Sequence, residues 1–534
     1  MGVFFMKIRA LLSLIVLTAL FALSGGRVYM LGAESVNAAY SGGAKTVDFA
    51  TARGTVYERN LRPLTNSDIV YTAAARPTRA AAFELGKVLL YDEFKSVSER
   101  MSAGYPVTVS VNSAACQCRD IRIIATPKRY SGTFACHLTG YLDSEGRGIS
   151  GIEKAYDSLL ASNSCTFGAR FACDALGRVL LGEEIGVVCS GDYRGGIALT
   201  VDKDIQLITE KALDEAGVAC GAAVVIEIGS GEIIAAVSRP AFEPENIAES
   251  LADPDSPLIN RAFLPFSVGS VFKPVVACAA LENGVDSFEY ECTGNVTLNG
   301  VTFNCHKEDG HGRVDMKQAV TDSCNTYFIA LAQKIGAESI INTAEKFGFG
   351  KAVNLAPSMS SSGGNLPKSE ELDSKAALAN ISFGQGALTA TPLQICAMTA
   401  AIARGGVYIS PTLIRGEVDA EGRLINEKKP SALIRAVSAK NAETVKGFLE
   451  SVVKNGSGKR AASTVVDAAG KTATAQTGKT QGGEEIYNAW FSGYFPAENP
   501  RYAVTVLVEN GGEGALSCAP IFRAIAESVT KLSE

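Results

Sequence analysis

Three serines in this sequence are each followed, three positions later, by a lysine. Residues at that spacing lie on one face of a helix, so the lysine amine can reach the serine hydroxyl. A partly desolvated lysine has a lowered pKa and can remove the serine proton, which activates the serine for acyl transfer without a histidine. The three pairs are Ser270 with Lys273, Ser451 with Lys454, and Ser528 with Lys531.

The context of Ser270 differs from that of the other two serines. Ser451 and Ser528 fall inside helical patterns, where a serine is ordinarily a surface residue or bonds to the preceding turn. Ser270 stands shortly before Pro274, which a helix tolerates only in its first turn, so the helix must begin near the serine. Backbone N–H groups are free there and can bind an oxyanion. The sequence therefore predicts Ser270 as nucleophile and Lys273 as its base.

Two later motifs supply further groups for this chemistry. Ser323-Cys324-Asn325 offers a second hydroxyl for proton transfer and a neutral amide that can hold a peptide carbonyl. Lys471-Thr472-Ala473-Thr474 begins a predicted strand that can align an extended peptide and bind its carboxylate. Each motif is weak alone, but the order of all three along the chain is specific.

The sequence offers few residues for a histidine-based catalytic site or a metal site. The chain has 3 histidines and no Gly-x-Ser-x-Gly turn, and His306 and His311 in a polar loop are interpreted as solvated side chains. The 13 cysteines include no Cys-x-x-Cys pair, so we interpret most of them as small buried residues. We therefore predict no metal and no cofactor.

The elements that must hold these motifs can be predicted from local patterns. Asp202 caps a helix that runs to Ala216 and stops at Gly217. Residues 222–228 and 232–237 form a hairpin, three strands are predicted at 471–476, 487–495 and 502–509, and a last helix begins near Ala519. Strands therefore stand both before and after a helix-rich region. This order predicts one antiparallel sheet in which the early hairpin and the late strands lie side by side.

Composition and charge limit the class of protein. Of the 534 residues, 47% are hydrophobic and 20% charged, so the chain can bury a large core and is not mainly disordered. Its formal net charge of -6 argues against a general nucleic-acid binder, which needs a positive surface.

The amino-terminal segment predicts the compartment. Lys7 and Arg9 precede an uncharged, mostly apolar stretch at residues 10–26, which is short for a membrane span but extends through residues 28–31. A cleaved signal peptide is the alternative, because Ala22-Leu23-Ser24 resembles a cleavage site. We favour an uncleaved single anchor in the cell membrane. With either interpretation the positive flank stays inside, and the bulk of the chain is extracytoplasmic.

The three motifs in this order resemble those of monofunctional class B penicillin-binding proteins, which are peptidoglycan D,D-transpeptidases. Other segments share the resemblance: Arg53-Gly54, 148–153, Asn260-Arg261-Ala262-Phe263, 382–386, 391–394 and Ala489-Trp490-Phe491. The resemblance implies an α+β transpeptidase fold, with a five-stranded antiparallel sheet flanked by helices and an all-helical subdomain. It also implies a cytoplasmic tip and transmembrane anchor at 1–31, a mostly β or mixed pedestal at 32–195, and a transpeptidase domain at 196–534.

The same resemblance assigns roles to the first two motifs. Ser270 is the nucleophile that stem peptides and penicillins acylate, and Lys273 is its base. Ser323 passes the proton to the leaving D-Ala, and Asn325 orients the donor peptide.

The resemblance also assigns the later strand. Lys471 and Thr472 bind the terminal carboxylate, and the backbone N–H of Thr474 joins that of Ser270 in the oxyanion hole. Ala473 departs from the family, which has glycine there. Its methyl group can obstruct close approach of a substrate backbone and alter β-lactam affinity.

Cys292 and Cys305 flank a predicted hairpin at 293–301, between the first two motifs. Related sporulation-type members carry similar cysteines, so we hypothesise a redox-sensitive disulfide between them, with two free thiols as the alternative.

The implied partners are peptidoglycan stem peptides and their lipid-linked precursor, β-lactams, the membrane, and a SEDS-type glycosyltransferase with other wall-synthesis proteins; nucleic acid is not a partner. Two other functions stay open. One is a D,D-carboxypeptidase or serine β-lactamase-like hydrolase, against which the anchor and the pedestal argue. The other is a β-lactam sensor or a catalytically weakened scaffold, which the departure at Ala473 motivates.

Overall fold

We describe the protein from a computed structural model that places residues 12–30, 43–112, 118–174, 176–429 and 431–533. Lys7 and Arg9 of the predicted positive flank lie outside these residues, as does Cys116. The chain divides into two compact units, each assembled from separated segments. The first comprises Met1–Arg53, Asp68–Arg129 and Ser164–Asp192, and the second comprises Gly54–Ser67, Tyr130–Asn163 and Tyr193–Glu534. Two segments of the predicted pedestal range thus belong to the second unit, and the boundary at residue 195 stays a prediction.

One helix among the described residues, Leu12–Met30, has the length and apolar composition needed to cross a membrane. Its 19 residues span about 28 Å at the α-helical rise, close to the ~30 Å of a bilayer's hydrocarbon core. Its side chains are exposed rather than packed against the protein. The helix lies where the sequence predicts the anchor.

The first unit contains two antiparallel sheets of three strands. One consists, in spatial order, of Ala44–Ala52, Cys165–Ala172 and Gly186–Gly191. The other consists of Val107–Val111, Asp68–Ala75 and Ile121–Lys128. Two helices, Arg79–Val88 and Tyr91–Ser102, share a core with the second sheet through Leu85 and Val97. This mixed but strand-rich texture agrees with the fold predicted for the pedestal.

The second unit is built around one five-stranded antiparallel sheet. From edge to edge its strands are Ile233–Arg239, Gly221–Glu227, Tyr502–Val508, Glu484–Phe495 and Ala469–Gln481. The early hairpin therefore pairs with the last strand of the chain, with Gly221 opposite Val508. Distant segments close the sheet, as the order of elements predicts.

Successive residues of these strands point to opposite faces of the sheet and fill two cores. The face that carries Val225 packs on helices Lys203–Glu215 and Gly514–Ser533. The face that carries Val224 packs on helix Pro392–Ala403, which is buried along its whole length. The sheet is thus sandwiched between helical layers, and its edge strand Ala469–Gln481 is left beside the helix of the predicted nucleophile.

The remaining elements of the second unit form the helical subdomain and several short ladders. The other helices are Cys136–Thr139, Gly151–Ala155, Asp157–Ser162, Ile247–Leu251, Lys273–Glu282, Met316–Thr321, Asn325–Ile335, Ala337–Lys346, Lys375–Ser382 and Ala439–Lys454. A four-stranded sheet joins Thr55–Tyr57, Gly196–Leu199, Ile414–Val418 and Leu424–Ile425. Two-stranded ladders pair Phe266–Ser267 with Thr389–Ala390, Tyr290–Cys292 with Gly312–Val314, Asn295–Leu298 with Val301–Asn304, Val353–Ala356 with Met359–Ser361, and Val407–Ile409 with Leu433–Arg435.

The helix capped by Asp202, the hairpin that follows it and the three late strands lie where local patterns predict them. The start of the last helix was predicted wrongly. The sequence analysis places it near Ala519, whereas the helix already begins at Gly514. Its opening bonds run from the N–H groups of Leu516 and Ser517 to the carbonyl of Glu513. Pro520 therefore lies inside the helix, where it costs one backbone hydrogen bond and tertiary packing overrides the local preference.

Replacing Phe522 with alanine is expected to destabilise the second unit by about 3–5 kcal/mol, because a fully buried aromatic ring leaves a cavity. The Phe522 ring packs 4.6 Å from that of Phe491, centroid to centroid. The midpoint of urea unfolding can be followed by the fluorescence of Trp490, the single tryptophan of the chain, which is buried in the same sheet. Leu516→Ala, on the same helix but 49% exposed, is the control, and equal midpoints for both variants would contradict the expectation.

Candidate active site

Ser270 lies in a tight turn whose backbone is held by two glycines. A 3-10 turn, Gly269–Phe272, runs directly into helix Lys273–Glu282, so the helix begins where Pro274 predicts. Gly269 has a φ of 60° and donates its N–H to the carbonyl of Gly384 at 2.8 Å. A side chain at Gly384 would place its Cβ 2.0 Å from the Gly269 oxygen, so only glycine permits this approach.

The amine of Lys273 is fully buried and surrounded by three oxygen atoms. Its Nζ is 2.7 Å from the Ser323 carbonyl, 3.1 Å from Ser323 Oγ and 2.7 Å from Asn325 Oδ1. The ring centroid of Phe328 lies 5.4 Å away on a buried helix. The amine donates a hydrogen bond to each of these oxygens, and loss of one proton leaves a lone pair that can accept a proton from a neighbouring hydroxyl.

Burial lowers the pKa of Lys273 from 10.5 to about 7, against the opposing influence of the sulfur groups of Cys324 and Cys305. Desolvation disfavours the ammonium form, so a large share of the molecules carry a neutral amine at neutral pH. A group with this pKa is suited to accept a proton from a serine hydroxyl.

The backbone of Ser323 is strained in a way that aims both of its oxygens at Lys273. Its φ of 60° is unusual for a residue with a side chain and costs about 1–3 kcal/mol. Ser323 sits between helices Met316–Thr321 and Asn325–Ile335, and Asn325 is fixed by a 3.1 Å bond from its Nδ2 to the Asn304 carbonyl. That bond leaves Asn325 Oδ1 to face the lysine. Strain of this kind is typical of functional sites.

Strand Ala469–Gln481 presents alternate residues to the site and to the core. Lys471 is buried, donates from Nζ to the Thr472 carbonyl at 3.0 Å, and has a pKa lowered by burial and by the nearby charge of Lys273. Thr472 turns its hydroxyl to Ser457 Oγ at 3.0 Å, and Thr474 is exposed. The Ala473 side chain is 3% exposed and belongs to the hydrophobic core. Its methyl group therefore packs inward, whereas the sequence analysis expected it to face a substrate.

A cavity of about 400 Å³ gathers most of the predicted site residues. Those among its lining are Ser270, Ser323, Asn325, Thr472, Ala473 and Thr474. Lys273 and Lys471 lie behind this lining, in the protein interior. A larger cavity of about 670 Å³ near Cys220 contains none of these residues, so chemistry rather than size identifies the site.

Four further residues line the same cavity and were missed by the sequence analysis: His306, Ser457, Glu513 and Ala515. The N–H of Ser457 donates to the Thr321 carbonyl at 3.2 Å. The preceding residue, Gly456, passes so close to the same carbonyl that a Cβ there would lie 2.2 Å from its oxygen. The turn Asn455-Gly456-Ser457-Gly458 was the available signal, but only tertiary contact pairs its serine with Thr472.

The hypothesised disulfide between Cys292 and Cys305 is absent from the structure, where both are free thiols. The hairpin pairs Asn295 with Asn304, which puts Cys305 beside Gly294, whereas Cys292 belongs to another ladder opposite Gly312. The two cysteines are therefore not cross-strand neighbours. A disulfide that the sequence analysis did not predict joins Cys165 and Cys189, on neighbouring strands of the first unit.

Residues 221–527, more than half of the chain, match the family described as the penicillin binding protein transpeptidase domain. This chain belongs to that family. The family and the α+β transpeptidase fold predicted from the sequence are thereby confirmed. The Ser270–Lys273 and Ser451–Lys454 pairs both lie within the matched residues, and of these two serines Ser270 is the one that lines the cavity shared with the other motifs.

Relatives of this penicillin-binding transpeptidase domain protein include both long and similar-sized chains. The penicillin-binding protein PbpB of Mycolicibacterium smegmatis is 30% identical over 427 residues, covering 74% of this chain and 63% of that protein. The peptidoglycan D,D-transpeptidase PbpA of the same organism is 28% identical over 495 residues, 86% of this chain and 94% of that protein. The crystal structure of penicillin-binding protein 3 from Mycobacterium tuberculosis, complexed with ampicillin, aligns with a TM-score of 0.67 and 25% identity, covering 92% of this chain and 96% of that chain.

The chain spans only part of several longer relatives. It matches 63% and 60% of the two mycobacterial PbpB proteins, and 59% of the stage V sporulation protein D of Bacillus subtilis.

Proposed function

We propose that this chain is a serine-type peptidoglycan D,D-transpeptidase that crosslinks stem peptides through an acyl-enzyme on Ser270. The observation that carries the proposal is the buried amine of Lys273, which is held by Ser323 and Asn325 one helical turn from Ser270. An amine buried at such a cost is expected to have a chemical role. The names of the relatives, which include peptidoglycan D,D-transpeptidases and penicillin-binding proteins, support the same substrate class.

Acylation begins when the Ser270 hydroxyl proton passes to the neutral amine of Lys273. Ser270 Oγ bonds to the carbonyl carbon of the penultimate D-Ala of a stem peptide, and the peptide bond to the terminal D-Ala breaks. The proton moves through the Ser323 hydroxyl, 3.1 Å from the Lys273 amine, to the departing amino group. An amine of a neighbouring stem peptide then attacks the ester, forms the new amide bond and restores the Ser270 hydroxyl.

Charge that develops on the attacked carbonyl oxygen needs hydrogen-bond donors at fixed positions. We assign this role to the backbone N–H groups of Ser270 and Thr474, because both residues line the cavity. A donor of this kind is commonly worth ~10²–10³ in rate. The turn at Gly269 and the edge strand fix the two residues independently of substrate.

The terminal carboxylate of the donor peptide is proposed to bind the hydroxyl pair of Thr472 and Ser457, which meet at 3.0 Å on the cavity wall. Lys471 contributes from behind the strand, since its amine bonds to the Thr472 carbonyl. Asn325 is proposed to orient the donor peptide from the other side. The inward packing of Ala473 supports a strand that a substrate backbone can still approach.

Helix Leu12–Met30 supports a membrane-crossing segment near the amino terminus. We propose that it is an uncleaved single-pass anchor with the bulk of the protein extracytoplasmic, organised in the predicted ranges 1–31, 32–195 and 196–534. Penicillins, as mimics of the D-Ala-D-Ala end, are proposed to acylate Ser270. A SEDS-type glycosyltransferase is the proposed source of the glycan strands.

Intact mass spectrometry of the full chain incubated with benzylpenicillin tests this function. We expect one covalent adduct, mapped to Ser270 by peptide digestion, together with release of D-Ala and crosslinked product from stem pentapeptides. Rapid loss of the adduct to water would instead indicate the hydrolase, and a chain without adduct or D-Ala release would indicate the scaffold or sensor.

A further inference from the structure

A cluster of three cysteines and one histidine lies next to the catalytic residues and is not used by the proposed mechanism. The ligand atoms of Cys292, Cys305, His311 and Cys324 all lie within 4.8 Å of one another. The three cysteines are buried and His311 is half-buried, although the sequence analysis interpreted that histidine as solvated.

Three of the six distances between the ligand atoms are known individually, and they match the edges of a tetrahedral zinc site. His311 Nδ1 is 3.5 Å from Cys292 Sγ and 3.5 Å from Cys305 Sγ, and Cys305 Sγ is 3.9 Å from Cys324 Sγ. Zinc bonds of about 2.3 Å to sulfur and about 2.0 Å to nitrogen require edges of roughly 3.5 Å for N–S pairs and roughly 3.8 Å for S–S pairs. A disulfide would instead need two sulfurs at about 2.05 Å.

One of the sulfurs also has a polar neighbour outside the cluster. The Thr326 hydroxyl lies 3.4 Å from Cys324 Sγ. Outer-shell groups of this kind help to orient metal-bound thiolates.

The backbone around the cluster is folded tightly enough to bring distant ligands together. Gly294 has a φ of 96°, and a Cβ there would lie 1.9 Å from the Glu308 carbonyl. Gly310 has a φ of 76°, and a Cβ there would lie 2.1 Å from the Cys292 carbonyl. Both close backbone approaches require glycine. Together they hold the loop that carries Cys305 and His311 against the strand that ends at Cys292.

We propose that Cys292, Cys305, His311 and Cys324 form a closed site for one Zn²⁺ ion beside the active site. Three thiolates and one imidazole match the donor set that selects zinc among the common divalent cations. Because the four protein ligands fill a tetrahedron, the ion has no open position for substrate or water. The site is structural rather than a Lewis-acid centre.

The ion would position catalytic residues, because Cys324 is the central residue of the Ser323-Cys324-Asn325 motif. Ser323 and Asn325 hold the Lys273 amine on either side of it. A metal ion would bind Cys324 to the loop that Gly294 and Gly310 hold in place. It would thereby fix the strained turn at Ser323 from outside the cavity. This consequence rests on the proposed transpeptidase function, whereas zinc binding itself does not.

The metal content of the full chain, purified with reductant and without a histidine tag, tests the site directly. We expect about one zinc per chain, and on replacement by Co²⁺ the intense visible bands and thiolate charge-transfer absorption of a tetrahedral site. Cys292→Ser is expected to weaken metal binding by at least ~10–100-fold. Cys518→Ala, which removes an equally buried cysteine from the other core, is the matched control and is expected to keep the metal.

Wild-type protein that neither retains zinc nor shows the tetrahedral cobalt spectrum would overturn the proposal, whatever the folding of the variants. So would full zinc retention by Cys292→Ser, or a disulfide between cluster cysteines in metal-free protein kept under reductant. Zinc should also raise the temperature of unfolding reported by Trp490 in wild type but not in Cys292→Ser.

The effect on catalysis is measured separately. Removing zinc with a chelator is expected to slow acylation of Ser270 by benzylpenicillin ~10-fold, and adding zinc back should restore it. An unchanged rate in zinc-free protein would refute the positioning role. Absence of acylation in the zinc-loaded protein would instead refute the proposed function and leave the metal site intact.

Discussion

Ser270→Ala is expected to abolish the covalent benzylpenicillin adduct and to lower D-Ala release by ~10⁶, because a nucleophilic serine has no substitute in the cavity. Ser323 and Ser457 also line the cavity, but neither is followed three positions later by a lysine. The acyl-enzyme cannot form without Ser270 Oγ. Intact mass after incubation with excess benzylpenicillin measures the outcome.

The chain supplies its own controls for this substitution. Ser451 and Ser528 have the same spacing to a lysine but lie within helices Ala439–Lys454 and Gly514–Ser533. Ser451→Ala and Ser528→Ala are therefore expected to acylate at the wild-type rate. An adduct that persists in Ser270→Ala, or one that vanishes in Ser451→Ala, would assign the nucleophile elsewhere.

Elements with strong local signals could be predicted from the sequence. Pro274 fixed the start of the nucleophile's helix, because proline cannot lie deeper in a helix without loss of a hydrogen bond. The turn at residues 229–231 fixed the hairpin that opens the sheet, and Asp202 does cap the preceding helix through the N–H groups of Asp204 and Ile205. Each of these signals acts over a few residues, and at these positions tertiary packing agrees with it.

Features assembled from distant segments could not be predicted in this way. Ser457 becomes a site residue only because a helix end meets strand Ala469–Gln481, and nothing near Ser457 in sequence encodes that meeting. The cysteine cluster has no Cys-x-x-Cys pair, since its ligands come from separate ladders and a helix cap. Lys471 was expected at the substrate, yet strand alternation turns its side chain into the core. A lone lysine gives no local sign of the face it will occupy.

Lys273→Met is expected to slow acylation by ~10²–10⁴, the contribution of a positioned general base. Methionine has a similar volume and suits a fully buried position, so the fold should persist while the proton acceptor is lost. Lys454→Met, at the Ser451–Lys454 pair, removes an exposed lysine whose amine lies 3.4 Å from Glu450 Oε2. Its acylation rate should equal that of wild type, and stopped-flow acylation with a chromogenic cephalosporin measures both.

The pH dependence of acylation separates a base from a merely structural lysine. Because burial lowers the pKa of Lys273 to about 7, the amine is protonated and inactive below that pH. The wild-type rate should therefore rise about tenfold per pH unit up to about pH 7 and level off above it. Burial is the largest cause of this lowered pKa, and the sulfur groups of Cys324 and Cys305 oppose it. A Lys273→Met variant that kept the same step would show that another group titrates; a slow, pH-independent rate is the result that a general-base role requires.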